Sequence, residues 1–412
     1  MKQKDDEAKT GYQNKLLDQS VWGTLTGIRP AKVAAKLLCA GNSAQNSIEI
    51  LSTEYNVSPE RAGLCVHTAK KALALKSILA PNDAALYVGI PFCPSRCAYC
   101  SFVSNDVERS YHLIEPFLET LLKEIVSTAE VAGILGLNIN SIYFGGGTPT
   151  ALSAESLDSI MQALADAFDL EKLREYTIEA GRPDTITEQK LEVMSRHGAK
   201  RISINPQSMS AKVLAAIGRK HSPEDVYKAV SLVKQTDALL NMDIIAGLPC
   251  DDVDGFCKTL ETVLNFKPEN ITVHTLALKK GSRIMLDGTA IPSGADVGIM
   301  LGHASHMLRG GGYEPYYVYR QKYISGGFEN TGYCLPGHEG IYNICMMEEL
   351  CTVLAVGGGG VTKLVSGDGR IERAFNAKYP REYIMRSDKM EHKLKKIQEF
   401  YHLKGEQYAI SI

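Results

Sequence analysis

The chain has 412 residues, 44% of them hydrophobic and 22% charged, with a formal net charge of −2. That composition supports packed cores spread over two or three domains and excludes a disordered tail protein. The near-balanced charge excludes a whole-chain basic field for nucleic acid or an acidic membrane surface, so an anionic substrate must meet a local cluster of Lys and Arg.

The chain opens on Met-Lys-Gln-Lys-Asp-Asp-Glu-Ala-Lys, charged and with no apolar run behind it, so no signal peptide is expected. No uninterrupted apolar stretch is long enough to span a bilayer, and no membrane insertion is expected. Ten cysteines in such a chain read as reduced thiols in the cytosol, giving a cytoplasmic expectation without disulfides. Residues 1–82 read as a helical region. Pro30 starts a helix over 31–38 before Gly41, and Ser58-Pro59 caps a second one running to about Leu79. Pro81-Asn82-Asp83 marks a boundary.

From Leu86 the pattern changes to short apolar runs separated by amphipathic helices. Strands are predicted at Leu86–Ile90, Ser141–Phe144, Glu175–Ala180, Arg201–Asn205, Leu239–Ile245 and Asn270–Leu276. Helix starts are signalled at Ser153, Thr187 and Ser222-Pro223, and Gly198 after Arg196-His197 is a stop. Repeated strand–helix units demand a parallel sheet, because only a long crossover returns the chain to the same end. Roughly six units fall short of a closed eight-fold barrel, so an open partial (β/α)6 barrel over 83–285 is expected. Its site should lie in the loops after the strands. A C-terminal α+β region, 286–412, is expected to cover the substrate, with a helix around Ile344–Leu354 and a solvated terminal helix over Arg386–Lys396.

Cys93, Cys97 and Cys100 form a CxxxCxxC triplet on one loop after the first strand. Three thiolates leave one iron of a [4Fe–4S] cube open, whereas a tetrahedral zinc site would want a fourth ligand close by. Phe144-Gly-Gly-Gly-Thr-Pro149 follows the second strand, and its glycines Gly145, Gly146 and Gly147 before Thr148 let backbone approach a ligand closely. Glu179 ends the third strand, Gln207 follows the fourth and Arg219 comes twelve residues after it. A guanidinium is the preferred carboxylate partner in a partly dry site. Asp243 interrupts the otherwise apolar fifth strand and is expected to face the lumen.

Taken together, these stretches resemble the radical S-adenosylmethionine (SAM) proteins, and among them the oxygen-independent coproporphyrinogen III oxidase family, over about residues 20–385. Two further segments resemble its coproporphyrinogen dehydrogenase subgroup: Trp22-Gly-Thr-Leu-Thr-Gly-Ile-Arg-Pro-Ala-Lys32, and Glu329-Asn-Thr-Gly-Tyr-Cys-Leu-Pro-Gly337 with Tyr342-Asn343. The resemblance implies a [4Fe–4S] cluster on Cys93, Cys97 and Cys100, with SAM on the open iron. It places Tyr99 beside the SAM adenine, Gly145–Thr148 on the methionyl amino group, and Glu179, Gln207, Arg219 and Asp243 on the rest of SAM. It further implies one-electron cleavage of SAM to methionine and a 5′-deoxyadenosyl radical, with an electron-donating reductase, flavodoxin or ferredoxin as partner. The radical would take hydrogen from a propionate of coproporphyrinogen III, and loss of carbon dioxide would leave a vinyl group, giving protoporphyrinogen IX.

Four propionates call for cations in the lumen. Lys279, Lys280, Arg283, Arg320 and Lys322 are the candidates, with His274 able to reach the site or serve in the core. In one respect the chain departs from the pattern: decarboxylating members carry a fourth cysteine two places after the triplet, whereas Cys100 is followed by Ser101-Phe102. Related branches with the Cys-Ser-Phe ending include a haem-binding trafficking protein and haem-degrading methyltransferases, so an enzyme and a haem carrier are both carried forward. Cys39, Cys65 and Cys257 read as small core residues, and Gly357–Gly360 as a helix stop and turn or a pocket lining.

Overall fold

The computed structural model describes residues 20–27, 29–100, 105–279 and 282–408. Among the described residues three helices come first: α1 (Ala31–Cys39), α2 (Ala44–Glu54) and α3 (Pro59–Ile78). Ser43 accepts from the Asn46 amide and Ser58 from the Arg61 amide, each satisfying an N-terminal N–H that the helix leaves orphaned. Their apolar faces close around the fully buried Trp22, with Leu51, Val66 and Val318. Cys39 lies exposed at the end of α1, against the expectation of a core cysteine, while Cys65 is buried as expected.

All six predicted strands form: β1 (Asp83–Ile90), β2 (Asn138–Gly146), β3 (Glu175–Glu179), β4 (Arg201–Gln207), β5 (Leu239–Ala246) and β6 (Asn270–Thr275). They pair in parallel and in chain order. Helices α4 (Ile114–Ile134), α5 (Ala154–Ala167), α6 (Glu188–Arg196), α7 (Ala211–Ala216), α8 (Pro223–Val233) and α9 (Val253–Asn265) occupy the crossovers. Ser153, Thr187 and Ser222 cap α5, α6 and α8, and Gly198 sits at φ +73° after α6. The crossover helices bury Phe117, Ile125, Leu157, Leu164, Val230 and Leu260 against the strands.

Beyond residue 285 the structure departs from a separate cover. After α10 (Arg283–Leu286) and α11 (Gly294–Gly310), strands β7 (Glu314–Tyr319) and β8 (Asn330–Cys334) extend the sheet antiparallel from β6. Following α12 (Ile341–Glu348), β9 (Thr352–Gly357) inserts parallel to β1, and β10 (Val361–Val365) and β11 (Ile371–Phe375) continue that edge. The result is one eleven-stranded open sheet in the order β11-β10-β9-β1-β2-β3-β4-β5-β6-β8-β7. The helix expected over Ile344–Leu354 therefore stops early. Glu349 takes a left-handed conformation that ends α12, and the apolar run from Thr352 is a fully buried strand. A short, uninterrupted apolar run has no periodicity to distinguish the two.

Gly357–Gly360 is the turn between β9 and β10, not a helix stop. A Cβ on Gly357 would sit 2.2 Å from the Gly89 carbonyl, so only glycine lets the two strand ends meet. Helices α13 (Pro380–Met385) and α14 (Ser387–Tyr408) complete the described residues. The expected solvated helix has a buried face: Lys393, Ile397 and Phe400 are enclosed, and Lys393 pairs with the fully buried Glu124 of α4. Glu124 also accepts from the Gly357 amide at 2.7 Å, from Asn376 and from the Tyr383 hydroxyl.

The two segments that narrow the resemblance meet in space. The Trp22 indole donates to Glu329 at 2.9 Å, and Arg61 pairs with the same carboxylate at 3.0 Å. Arg29 and Lys32 pair with Glu349, which Arg373 also reaches, so the N-terminal segment is tied to the end of α12.

Candidate active site

Along the parallel strands nearly every residue is buried, and the exceptions mark the lumen. Tyr87, Tyr143, Asp243 and His274 are the half-buried positions inside β1, β2, β5 and β6, and Glu179 is the half-buried end of β3. Side chains alternate across a strand, so these residues point to one face while their neighbours meet the helices. They line a cavity of about 590 Å³ that also contains the cysteine loop, the glycine run and side chains of α12 and β7.

Cys93, Cys97 and Cys100 all line this space, with Tyr99 between them. The loop is held by backbone. The Gly147 amide donates to Ile90 O and the Thr148 amide to Phe92 O, both at 2.7 Å, and the Thr148 hydroxyl lies 3.4 Å from Cys93 Sγ. A Cβ on Gly147 would fall 2.4 Å from Phe92 O and 3.0 Å from Cys93 Sγ, which is why the run needs glycine there. Gly146 and Gly147 reach the cavity wall; Gly145 packs behind it against the Tyr87 ring.

From the far side, Arg182 ties β3 to the loop: it clasps Asp184 with two hydrogen bonds and donates to Ser95 Oγ at 2.9 Å. Arg219 is buried and donates to Gly181 O at 3.1 Å and Asn205 O at 2.6 Å. Burial opposes its charge, but Tyr99 and Cys97 beside it more than restore it, and its pKa is raised. Burial, chiefly, raises the Tyr99 phenol as well.

Glu179 accepts from the Tyr143 hydroxyl at 2.5 Å. Burial pushes its carboxyl up to about 7, with the nearby Asp243 adding to the rise and Tyr143 opposing it. Asp243 accepts from Asn241 at 3.2 Å and lies 3.5 Å from His274 Nε2; the other nitrogen of that ring faces the Tyr319 hydroxyl at 3.4 Å. His274 is thus at the site, braced between an acid and a phenol.

Of the cations proposed for a substrate, Lys279 is the one among the described residues that lines the cavity. Arg320 turns away, donating to Leu25 O at 2.7 Å and lying over the Trp22 ring. Lys322 and Arg283 are exposed outside it, and Lys280 lies outside the described residues, as do Ser101 and Phe102. The sequence reading missed the tyrosines. Tyr87, Tyr143 and Tyr342 stack at 4.4–6.4 Å between ring centres, and Tyr317 stacks on Tyr319 at 6.2 Å across from them. Met346 and Met347 of α12 complete that wall. A period-two reading of Tyr87 and Tyr143 could have found two of them; those from β7 and α12 required the sheet order.

Among the described residues no three His, Cys, Asp or Glu side chains converge tightly enough for a single metal ion. Three thiols around one chamber suit a larger polynuclear cluster instead. Three polar atoms at the site have no partner among the described residues. Gln207 Oε1, Asn205 Oδ1 and Arg219 Nε are buried without a hydrogen bond among the described residues, and all three side chains line the cavity. Unsatisfied buried polar atoms are costly, and a ligand rich in hydroxyl, amino and carboxylate groups would meet them. The residues therefore fit a three-cysteine cluster with SAM beside it.

Comparison with known proteins agrees. The radical SAM superfamily model matches residues 87–263. The oxygen-independent coproporphyrinogen-III oxidase-like protein HemZ of Bacillus subtilis is 38% identical over 94% of this chain and 77% of its own length. The heme chaperone HemW of Escherichia coli is 25% identical over 73% of this chain and 75% of its own. The solved structure of the coproporphyrinogen III oxidase HemN of Escherichia coli shares the fold, with a TM-score of 0.61 over 77% of this chain and 71% of that one, at 22% identity. Radical SAM proteins use a [4Fe–4S] cluster and SAM, and no helix among the described residues is long and apolar enough to cross a membrane. The cysteine loop, the glycine run and the unpaired polar atoms thus share one chamber in a chain that belongs to the radical SAM superfamily, in its branch of oxygen-independent coproporphyrinogen-III oxidase-like proteins.

Proposed function

We propose that the chain is an enzyme that oxidatively decarboxylates the propionates of coproporphyrinogen III to vinyl groups without oxygen, yielding protoporphyrinogen IX. The observation that carries this reading is the continuity of the cavity: the three thiols and the aromatic wall face one space of about 590 Å³. A cluster held by Cys93, Cys97 and Cys100, with SAM, supplies hydrogen-atom abstraction from an unactivated C–H bond, which acid–base side chains cannot achieve.

The protein's own part is placement. Arg219, Gln207 and Asn205 offer a carboxylate partner and two acceptors at the cluster side, and Glu179 and Asp243 offer carboxylates to hydroxyl or ammonium groups. The Tyr87, Tyr143 and Tyr342 stack presents flat apolar surface to a pyrrole, and Lys279 offers a cation to a propionate. Each of the two propionates that react gives up a hydrogen atom from its β-carbon, its carboxylate as carbon dioxide, and one electron to an acceptor, and the other two propionates are kept. Holding the reacting carbon in place is what this wall contributes.

Haem carriage is the second reading, and it draws on the Cys-Ser-Phe ending and on the relatives named heme chaperones. One experiment separates the two. After anaerobic reconstitution with iron and sulfide, the reduced protein is given SAM and coproporphyrinogen, and the tetrapyrrole is weighed by mass spectrometry. Stepwise loss of formic-acid equivalents supports decarboxylation; unchanged mass together with tightly bound haem overturns it.

A further inference from the structure

Two separate arms grip the cysteine loop. Gly147 and Thr148 hold Ile90 O, Phe92 O and Cys93 from the glycine run, and Arg182 holds Ser95 from the segment after β3. Each arm runs into a short helical turn, Pro149–Ala151 in one case and Pro183–Thr185 in the other. The two turns touch. Thr185 Oγ1 donates to Arg182 O at 2.7 Å, so its one proton is used, and the 2.6 Å contact with Thr150 Oγ1 is a hydrogen bond donated by the buried Thr150.

Over this joint sits Lys190 of α6. Its ammonium donates to Thr150 O at 2.7 Å and to Thr185 O at 3.0 Å, one carbonyl from each turn. Local preference does not account for a lysine there. Thr187 caps α6 by accepting from the Lys190 amide at 3.3 Å, and the residue in that third helical position is ordinarily a Glu or Gln that reaches back to complete the cap. The positive end of the helix dipole also disfavours a cation in the first turn. Burial lowers the Lys190 pKa, with Glu155 opposing. A residue set against its surroundings in all three ways calls for a tertiary role. Two carbonyl oxygens that converge on one point repel, and an ammonium held by both reverses the sign of that interaction.

We propose that Lys190 is a positioning residue for the cluster: by fastening the two turns to each other it fixes the spacing of the two arms, and with it the separation of the thiols. The proposal rests on reading Cys93, Cys97 and Cys100 as the cluster ligands. Lys190 does not line the cavity, so it acts through the arms alone. Metal ligands hold well only when the groups behind them fix their directions, and slack in either arm loosens the whole loop. Arg182 and Thr148 orient the loop directly; Lys190 keeps those two from moving apart.

The test uses the full-length chain reconstituted anaerobically with iron and sulfide, and follows iron release to a ferrous chelator through the loss of visible absorbance. Lys190→Met keeps the bulk of the stem and removes the charge with both hydrogen bonds, and it should release iron about tenfold faster or more. Lys190→Glu discriminates. It completes the cap with Thr187 and suits the dipole, so a role confined to α6 leaves it like the parent, whereas the tie makes its release at least as fast as that of Lys190→Met. Lys190→Arg keeps the charge and enough donors for both carbonyls, and should hold iron much as the parent does. Far-ultraviolet circular dichroism and apoprotein urea midpoints are read in parallel and should stay close to the parent's in Lys190→Glu. Parent-like release in Lys190→Glu overturns the proposal, as does one release rate shared by all four proteins. Should the glutamate variant fail to fold, the other two decide: equal rates in Lys190→Met and Lys190→Arg overturn it. A parent that takes up no iron–sulfur chromophore is a different result: the ligand reading of the three cysteines then falls, and the tie with it.

Discussion

Gly147 offers the sharpest test of how the glycine run and the cysteine loop depend on each other. In Gly147→Ala the new methyl group would lie 2.4 Å from the Phe92 carbonyl, where 3.4 Å is ordinary contact, so something must move by about 1 Å. The carbonyl cannot yield freely, because the Thr148 amide holds it at 2.7 Å, and the Cys93 sulfur blocks the alternative direction at 3.0 Å. Overpacking of this kind costs about 1–3 kcal/mol, and breaking the Thr148 hydrogen bond adds about 1 kcal/mol more. We expect a loss of roughly 2–4 kcal/mol in urea unfolding of the apoprotein. We also expect a marked fall in iron bound per chain after anaerobic reconstitution, since Cys93 is the residue displaced. A Gly147→Ala protein with the parent's unfolding midpoint and iron content would show that the close approach of these two loops is not what seats the thiols.

Cys97→Ala should lose the chromophore while its far-ultraviolet circular dichroism matches the parent, because the loop lies outside the packed sheet; a retained visible shoulder would remove Cys97 from the ligands. Glu179, with its carboxyl near 7 in the fold against about 4.5 unfolded, keeps a proton that the unfolded chain releases. Its ionisation therefore costs stability as pH rises from about 4.5 through 7, by up to roughly 3 kcal/mol and less where cavity water solvates it. Apo Glu179→Gln should thus gain on the parent at pH 8 and match it near pH 4, as read by urea midpoints; a pH-independent difference would refute the assignment. Lys393→Met leaves the fully buried Glu124 without its cation and should cost about 3–5 kcal/mol. If thermal unfolding is unchanged, the C-terminal helix is not anchored through that pair.

Local chemistry was enough to read the strand–helix rhythm from Leu86 to Thr275, because caps at Ser153, Thr187 and Ser222 and alternating apolar runs act within a few residues of themselves. The CxxxCxxC triplet and the Gly145–Thr148 run were legible for the same reason: their spacing along the chain is their signal. What no local pattern contains is which distant strand lies beside which. The parallel insertion of β9 next to β1, the tyrosine wall drawn from β1, β2, β7 and α12, and the burial of Lys393 against Glu124 all join residues far apart in the chain. So does the turning of Arg320 onto Trp22, which a count of cations placed in the lumen. Sequence alone determined that a loop bearing three thiols follows the first strand of a parallel α/β sheet. Only tertiary structure decided what faces it, since burial and side-chain direction are settled by long-range packing free energy that short-range propensity does not encode.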